Sequence, residues 1–331
     1  MSFKQLPVEL LDNVSQNLDS DALAALARTC SSLCPVAQRI LYRHVSASAW
    51  SRNLAIVVTL SKRPDIARFV RSFYIAIDSL SPVFPAFYRL LANAIVNMSE
   101  LNSLNLVVDS SASWILKKAY NRVTYPHLVQ FNCSFPFDSN VCRFLEKTPS
   151  LLELEVDSIP TPFPDTTPMP PLHPTTIPHL SQFIGSSRTA KLIVPGRPVK
   201  SIHLNGGSLV EDDIPQLARS SAPVVVLGAV TSLPPVPFLE TLHAHLPQLA
   251  YLRIMSTQNM FKAPTAEFYE EVANSLALFS ELNAFELSGM HWGSRRKQED
   301  STKRVWQSTP LTGGFNPEDE IVFGTEIFFA Y

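Results

Sequence analysis

Apolar residues recur at spacings of three and four through the first 45 residues, and this pattern predicts a series of short helices. A first helix begins at Pro7, a second follows Asp19 as its N-cap, and a third follows Ser31 or Ser32 with Pro35 in its first turn. Three helices of this size bury only about 60% of their unfolded surface or less, so the module would be only marginally stable alone. We therefore expect a second surface to cover their surplus leucine, alanine and valine side chains.

A different pattern, L-x-x-L-x-L, recurs from residue 70 onwards and predicts short buried strands. Its clear copies lie at Val70/Phe73/Ile75, Leu101/Leu104/Leu106, Leu128/Phe131/Cys133, Leu151/Leu154/Val156, Val199/Ile202/Leu204, Leu249/Leu252/Ile254 and Leu282/Phe285/Leu287, and weaker copies lie at Leu180/Phe183 and Val224/Leu227. The mean interval is about 26 residues, which is typical of leucine-rich repeats. Amphipathic helical patterns, such as those of residues 84–98 and 265–279, lie between the strands. Repeated strand–helix pairs predict an irregular horseshoe, with parallel strands on the concave face and helices outside.

Two further segments connect or interrupt these patterns. Residues 47–69 predict a linking helix, because apolar and polar positions interleave there at helical spacing. Residues 160–178 hold eight prolines among nineteen residues, which excludes a helix or a central strand. We interpret them as an extended loop, and a ligand for an aromatic groove is the alternative. The predicted fold is α+α/β, with a three-helix module at 1–46 and a repeat array at 70–331.

The helical module resembles an F-box in the order and spacing of its residues. The matching residues are Leu6-Pro7-x-Glu9-Leu10-Leu11, Val14, Leu18-Asp19, Leu23-x-Ala25-Leu26-Ala27-x-Thr29-Cys30, Leu33 and Leu41-Tyr42-Arg43-His44-Val45. In that family the module binds a Skp-type adaptor protein, which joins it to a cullin-based ubiquitin ligase. The stretch VPGRPVKSIHLNG at 194–206 also resembles a sequence segment found in the leucine-rich arrays of F-box proteins from mushroom-type fungi. The resemblance implies that the uncovered leucines form a protein interface.

Seven positions of the module are carried over from the family as adaptor-binding residues. They are Leu6, Pro7, Leu10, Leu11, Val14, Leu18 and Leu26. Periodicity alone does not separate the leucines that face an adaptor from those in the core of the module. The alternative is a three-helix cap that packs on the rest of the chain.

Composition limits the partners that the chain attracts. The 331 residues are 46% apolar, which is enough for a sizeable core. The formal net charge is -2, so the chain has no strong positive electrostatic potential that would attract nucleic acid or an anionic membrane. Neither a secretory signal nor a membrane-spanning apolar stretch is recognisable in the sequence. The cysteines lie singly in apolar segments, as reduced core thiols do. We expect a cytoplasmic or nuclear protein that is monomeric apart from its complex.

The sequence lacks the usual catalytic motifs. A G-x-S-x-G elbow, a complete phosphate-binding loop and G-x-G-x-x-G are all missing. His243 and His245 point to different faces of a predicted helix, so they do not form a metal pair. We expect no catalytic residue, no metal and no cofactor. Residues 295–297 and 303–304 are interpreted as a solvated basic loop, with a nuclear import signal as the alternative.

The positions between the buried strand residues face the concave side of the predicted array. They mix polar and aromatic side chains, which suits a protein target better than an oligonucleotide. The predicted target-binding residues are Tyr74, Asn105, Asn132, Glu153, Glu155, His203, Tyr251, Arg253 and Glu286. A merely hydrated surface is the alternative for the acidic residues among them.

These features together favour a non-catalytic substrate-recognition subunit of a Skp-cullin-F-box ubiquitin ligase. The adaptor would bind the helical module, and an unknown protein target would bind the array. An interaction scaffold that is not coupled to ubiquitylation is the main alternative. An enzyme hidden in the array is a third class, which the missing motifs disfavour.

Overall fold

The computed structural model describes residues 7–77, 84–157, 170, 172–257, 265–297 and 300–309. The chain divides into two units, Met1–His179 and Leu180–Tyr331. Each unit is mixed α/β, with helices between strands that pair mostly in parallel. The mixed α/β class and the mostly parallel strands agree with the repeated pattern of the sequence. Among the described residues, no helix combines the length and the apolar character needed to cross a membrane.

The first unit begins with three helices, α1 (Val8–Ser15), α2 (Ser20–Thr29) and α3 (Cys34–Leu41). Asp19 caps α2 as predicted, because its carboxylate accepts the Ala22 N–H at 2.7 Å. Both α1 and α2 contact α3. Their small shared core consists of Leu11, Leu33 and Val36, with Leu26 and Cys30 packed against it.

The start of α3 differs from the prediction. Its N-cap residue is Leu33 rather than Ser31 or Ser32, and no side chain caps the helix. The helix begins only at Cys34, so both serines lie too early to reach its free N–H groups. Pro35 lies in the first turn as predicted, where its missing N–H costs nothing.

Five parallel strands form the sheet of the first unit, each paired with the next in chain order. They are β1 (His44–Ser48), β2 (Ser72–Ala76), β3 (Ser103–Val107), β4 (Gln130–Cys133) and β5 (Glu153–Glu155). The helices between them are α4 (Ala55–Lys62), α5 (Pro64–Ala67), α6 (Pro85–Asn97), a 3-10 helix (Ser110–Ile115), α7 (Leu116–Tyr120) and α8 (Ser139–Leu145). The segment 47–69 thus holds two helices, α4 and α5, rather than one. They are divided at Arg63 because Pro64 lacks the backbone N–H that would continue the hydrogen bonding of α4.

The core of this sheet is a row of matched apolar side chains on adjacent strands. Phe73, Leu104, Phe131 and Leu154 pair in register, and each is at most 1% exposed. The ring of Phe131 lies 4.8 Å from that of Phe144 in α8. The buried side of the strands therefore packs against a helix, while the alternate side chains point to the other face.

Five strands of the second unit are also parallel and pair in chain order. They are β6 (Gln182–Ser186), β7 (Ser201–Gly206), β8 (Val226–Thr231), β9 (Tyr251–Ser256) and β10 (Ala284–Leu287). The helices are α9 (Ser187–Ile193), a 3-10 helix (Glu211–Asp213), α10 (Ile214–Leu217), α11 (Pro235–His245) and α12 (Ala266–Leu276). Every predicted copy of the strand pattern, weak copies included, coincides with one of β2 to β10, so these strand predictions are confirmed.

Two antiparallel strands, β11 (Met290–Lys297) and β12 (Asp300–Thr309), follow β10. The prediction of a solvated basic loop at 295–297 and 303–304 is therefore wrong, because both stretches belong to paired strands. The sequence does not reveal these strands clearly, because charged residues lie between the two buried positions Trp292 and Trp306. Trp292 packs 5.3 Å from the ring of Phe285, so the hairpin extends the core beyond β10.

Small hydroxyl side chains satisfy buried backbone groups next to the strands. The buried Ser134 hydroxyl accepts the Val108 N–H at 3.1 Å, and the Thr231 hydroxyl donates to the Leu209 carbonyl at 2.9 Å. These bonds fix the turns that follow the strands.

The predicted proline-rich loop at 160–178 lies mostly outside the described residues. Its described part, 170 and 172–178, includes a turn in which the Thr176 N–H bonds to the His173 carbonyl at 2.9 Å.

Candidate interaction surfaces

The first candidate surface is an apolar stripe on α1, formed by Pro7, Leu10 and Val14. These residues lie at helical spacings of three and four, so they share one side of the helix. Leu10 is 49% exposed and Val14 is 44% exposed, and Pro7 is also exposed. An exposed apolar stripe on a helix is a surface on which another protein can bury its own apolar residues.

The remaining predicted adaptor-binding residues lie elsewhere. Leu11 is 6% exposed and belongs to the core of the module, against which Leu26 packs. Leu18 is half-buried, and Leu6 lies outside the described residues. The structure therefore separates what periodicity could not, because Leu10 faces outwards while its neighbour Leu11 faces α3.

An ion pair lies on the side of α1 that is turned away from this stripe. Arg39 of α3 pairs with the Asp12 carboxylate of α1. The hydrogen bond to Asp12 raises the pKa of Arg39 above its usual value, and the opposing effect of burial does not cancel this rise. The pair joins α1 to α3 and helps to hold the stripe in place.

The second candidate surface is the outward side of β1 to β5, which we call the first sheet face. One row across the strands consists of Tyr74, Asn105, Asn132 and Glu155, paired in register. The predicted target-binding residues of this unit therefore lie side by side on adjacent strands. Tyr74 is 38% exposed.

A second row of the first sheet face consists of Ser72, Ser103, Gln130 and Glu153. The Ser103 hydroxyl donates to the Gln130 amide oxygen at 2.8 Å, so the middle of this row is already hydrogen-bonded. A third row, nearer the carboxyl ends of the strands, includes Ala76 and Val107. Val107 is 42% exposed and gives this part of the face an apolar character.

The third candidate surface is the outward side of β6 to β10, which we call the second sheet face. His203, Gly228, Arg253 and Glu286 follow one another across β7 to β10. The Arg253 Nε lies 3.3 Å from the Glu286 Oε1. Tyr251 lies two residues before Arg253 on the same side of β9 and is half-buried. The four predicted target-binding residues of this unit are thus also close in the sheet.

The His203 ring is held on this face by its neighbours. A Cβ atom at Gly228 would lie 3.0 Å from the His203 Nδ1, so the glycine provides the room that the ring needs. The other ring nitrogen, Nε2, lies 3.2 Å from the Ser201 hydroxyl. Burial lowers the pKa of His203 below its usual value, and the positive charge of Arg253 lowers it further.

Metal-binding chemistry has little support in the described parts of both units. No group of three or more His, Cys, Asp or Glu side chains there is placed to hold a metal ion. The His243 ring packs edge-on against Phe279 at 5.3 Å, and His245 is exposed. Cys133 and Cys142 are buried, and burial raises the pKa of both thiols.

Two strongly exposed aromatic residues were not predicted from the sequence. Trp50 follows β1 and is 84% exposed, and Phe84 precedes α6 and is 82% exposed. Both lie at or near the start of a predicted helical segment, where periodicity does not show whether a large apolar side chain is buried or exposed.

Comparison with known proteins does not assign this chain to a family. No protein-family model matches it, and no curated protein matches it either. Its function therefore has to be inferred from its own residues and surfaces.

Proposed function

We propose that this chain is the substrate-recognition subunit of a Skp-cullin-F-box ubiquitin ligase. Residues 1–46 act as an F-box that binds a Skp-type adaptor, and residues 70–331 act as an irregular leucine-rich-repeat horseshoe that binds a protein target. The single observation that carries the proposal is the exposed stripe of Pro7, Leu10 and Val14 on a helix whose sequence resembles the start of an F-box.

The stripe supports the proposal because the module has already built its own core without it. Leu11, Leu33 and Val36 pack together, whereas Leu10 and Val14 keep nearly half of their surface in water. Burying apolar surface contributes roughly 25 cal/mol per Å², so an adaptor that covers two such side chains gains a substantial part of its affinity there.

The proposed subunit is non-catalytic. It holds a target close to a ubiquitin-charged enzyme that the cullin recruits, and this proximity raises the effective concentration of target lysines. Its own residues bind and position the target, without a metal or cofactor, and the partners are proteins rather than nucleic acid or membrane.

Co-purification tests this proposal. Tagged full-length protein is recovered from cell lysate and probed for a Skp-type adaptor and a cullin. The Leu10→Ser, Val14→Ser double variant should recover at least about tenfold less adaptor, since fully burying a leucine or valine contributes about 1.5–3 kcal/mol and about half of that remains to be gained at each of these positions. The matched control is Leu192→Ser, Leu278→Ser, which changes side chains that are 38% and 49% exposed in the second unit.

Equal adaptor recovery by the wild type and the Leu10/Val14 variant would refute the assignment of this stripe. Thermal melting of both double variants excludes unfolding as the cause, because changes at exposed positions usually alter stability by under about 0.5 kcal/mol. If adaptor binds but target half-lives stay unchanged when the chain is deleted, the scaffold alternative replaces the ligase subunit.

A further inference from the structure

The first sheet face has an apolar end and an acidic end. Tyr74 on β2 and Val107 on β3 lie in adjacent rows of neighbouring strands and are 38% and 42% exposed. Glu153 lies on β5, two strands beyond β3. Neighbouring strands are about 4.8 Å apart and each residue advances about 3.3 Å along a strand, so Glu153, which is two strands across and four residues along from Val107, lies about 16 Å from the apolar end.

The charge of this face is one-sided. The strands β2 to β5 contribute Glu153 and Glu155 to it and no lysine or arginine. Within the described residues Glu153 makes no ion pair, since the ion pairs of this unit join other residues, such as Arg71 with Glu100. The face therefore attracts a positively charged ligand group and repels phosphates.

Asparagine amides occupy the space between the two ends. Asn105 and Asn132 are neighbours on β3 and β4. The Oδ1 atom of Asn105 is buried and has no hydrogen-bond partner, which costs about 1–3 kcal/mol. A ligand that brings an N–H group to this row would let the amide reorient and complete its hydrogen bonds.

We propose that the first sheet face binds an extended polypeptide segment in which a bulky apolar residue and a lysine or arginine are about five residues apart. The apolar side chain packs against Tyr74 and Val107, the cation pairs with Glu153, and the peptide backbone between them bonds to the asparagine amides. The spacing follows because an extended chain advances about 3.3 Å per residue. This inference deepens the proposed function and rests on it, since it describes the class of target that the array recognises.

Fluorescence anisotropy with the purified full-length chain tests the inference. The probe is a labelled peptide of about ten residues, with a leucine and a lysine about five positions apart in a glycine and serine background. One comparison peptide carries glutamate in place of the lysine, and a second carries serine in place of the leucine. We expect the first peptide to bind and both comparison peptides to bind at least about fivefold more weakly.

Variants of the protein locate the two contacts. Glu153→Gln should weaken binding of the lysine peptide about fivefold and remove most of its salt dependence. Val107→Ser should weaken binding by a similar factor but leave the salt dependence unchanged. Glu146→Gln is the matched control, because Glu146 is exposed at the end of α8, outside the strands, and should have no effect.

Three results would overturn the inference. They are equal affinity for the lysine and glutamate peptides, an equal effect of Glu146→Gln and Glu153→Gln, and no binding of the lysine peptide at low salt. Adaptor co-purification with Glu153→Gln separates this failure from failure of the proposed function. If adaptor recovery is normal and the peptide does not bind, only the inferred target class is wrong, whereas peptide binding without adaptor refutes the ligase role alone.

Discussion

Asn53 stabilises the open edge of strand β1, and removing its side chain should loosen this edge. Among the described residues β1 pairs only with β2. The Arg43 carbonyl and the Ala49 N–H point towards β2 and form hydrogen bonds with it. Because backbone groups alternate in direction along a strand, the Ser46 carbonyl and the Ser48 N–H point away from β2. The Asn53 amide donates to the Ser46 carbonyl at 2.8 Å and accepts the Ser48 N–H at 2.9 Å, as a neighbouring strand would.

The size of the effect follows from these two bonds. A neutral hydrogen bond contributes about 0.5–1.5 kcal/mol, and the lower value applies here because Asn53 is exposed and water can replace it. Asn53→Ala should therefore cost about 1 kcal/mol of local stability and increase hydrogen exchange at the Ser48 N–H about fivefold. Asn53→Asp keeps the acceptor and loses the donor, so it should increase exchange only about twofold.

Hydrogen exchange with mass spectrometry on a peptide that covers β1 measures this difference directly. Asn274→Ala is the control, since Asn274 is an exposed asparagine of α12. If Asn53→Ala and Asn53→Asp change exchange equally, the acceptor bond to the Ser48 N–H contributes nothing. If neither differs from Asn274→Ala, Asn53 does not protect the edge and the reasoning is refuted.

Three other predictions concern buried polar and titratable groups. Ser134→Ala should lower the free energy of unfolding by about 1–3 kcal/mol, because the Val108 N–H loses a buried acceptor, whereas Ser221→Ala at an exposed site should not, as thermal melting would show. The pKa of His203 is lower in the folded chain than in the unfolded chain, so the unfolded chain binds more protons as the pH drops below about 6.5 and the free energy of unfolding should fall there. His203→Gln should make this fall shallower, as urea titrations at several pH values would show. Iodoacetamide should label Cys30 and Cys34 before Cys133 and Cys142 in the native protein, because burial holds the latter two as thiols; early labelling of Cys133 by mass spectrometry would contradict its buried position.

The strands were predictable from the sequence because their alternation is strict where one face is buried. Phe131 and Cys133, for example, are both buried while Asn132 between them is not, and this period of two cannot fit a helix. Strand β1 carried a weaker signal, since Val45 and Ala47 are its only buried side chains and its other residues are serine and histidine. The hairpin β11–β12 was missed because charged residues lie between its two buried tryptophans.

The candidate surfaces were only partly predictable, because exposure depends on packing between distant residues. Leu10 and Leu11 are adjacent and equally apolar, and only the position of α3 decides which of them is buried. Similarly, the room that Gly228 gives to the His203 ring arises from pairing β7 with β8, which spacing along the chain does not reveal.

The exposed stripe on α1 is a consequence of how that helix is built. Leu10 and Leu11 lie about 100° apart around the helix, and a core as small as that of Leu33 and Val36 can cover only one of these directions. The helix therefore has two apolar sides, one that packs in the core of the module and one that stays exposed. A protein that binds the second side without binding the unfolded chain also stabilises the first, by about 2.7 kcal/mol at a hundredfold excess over its Kd. In the proposed function, adaptor binding to the exposed side would thus stabilise the folded module through a single turn of α1.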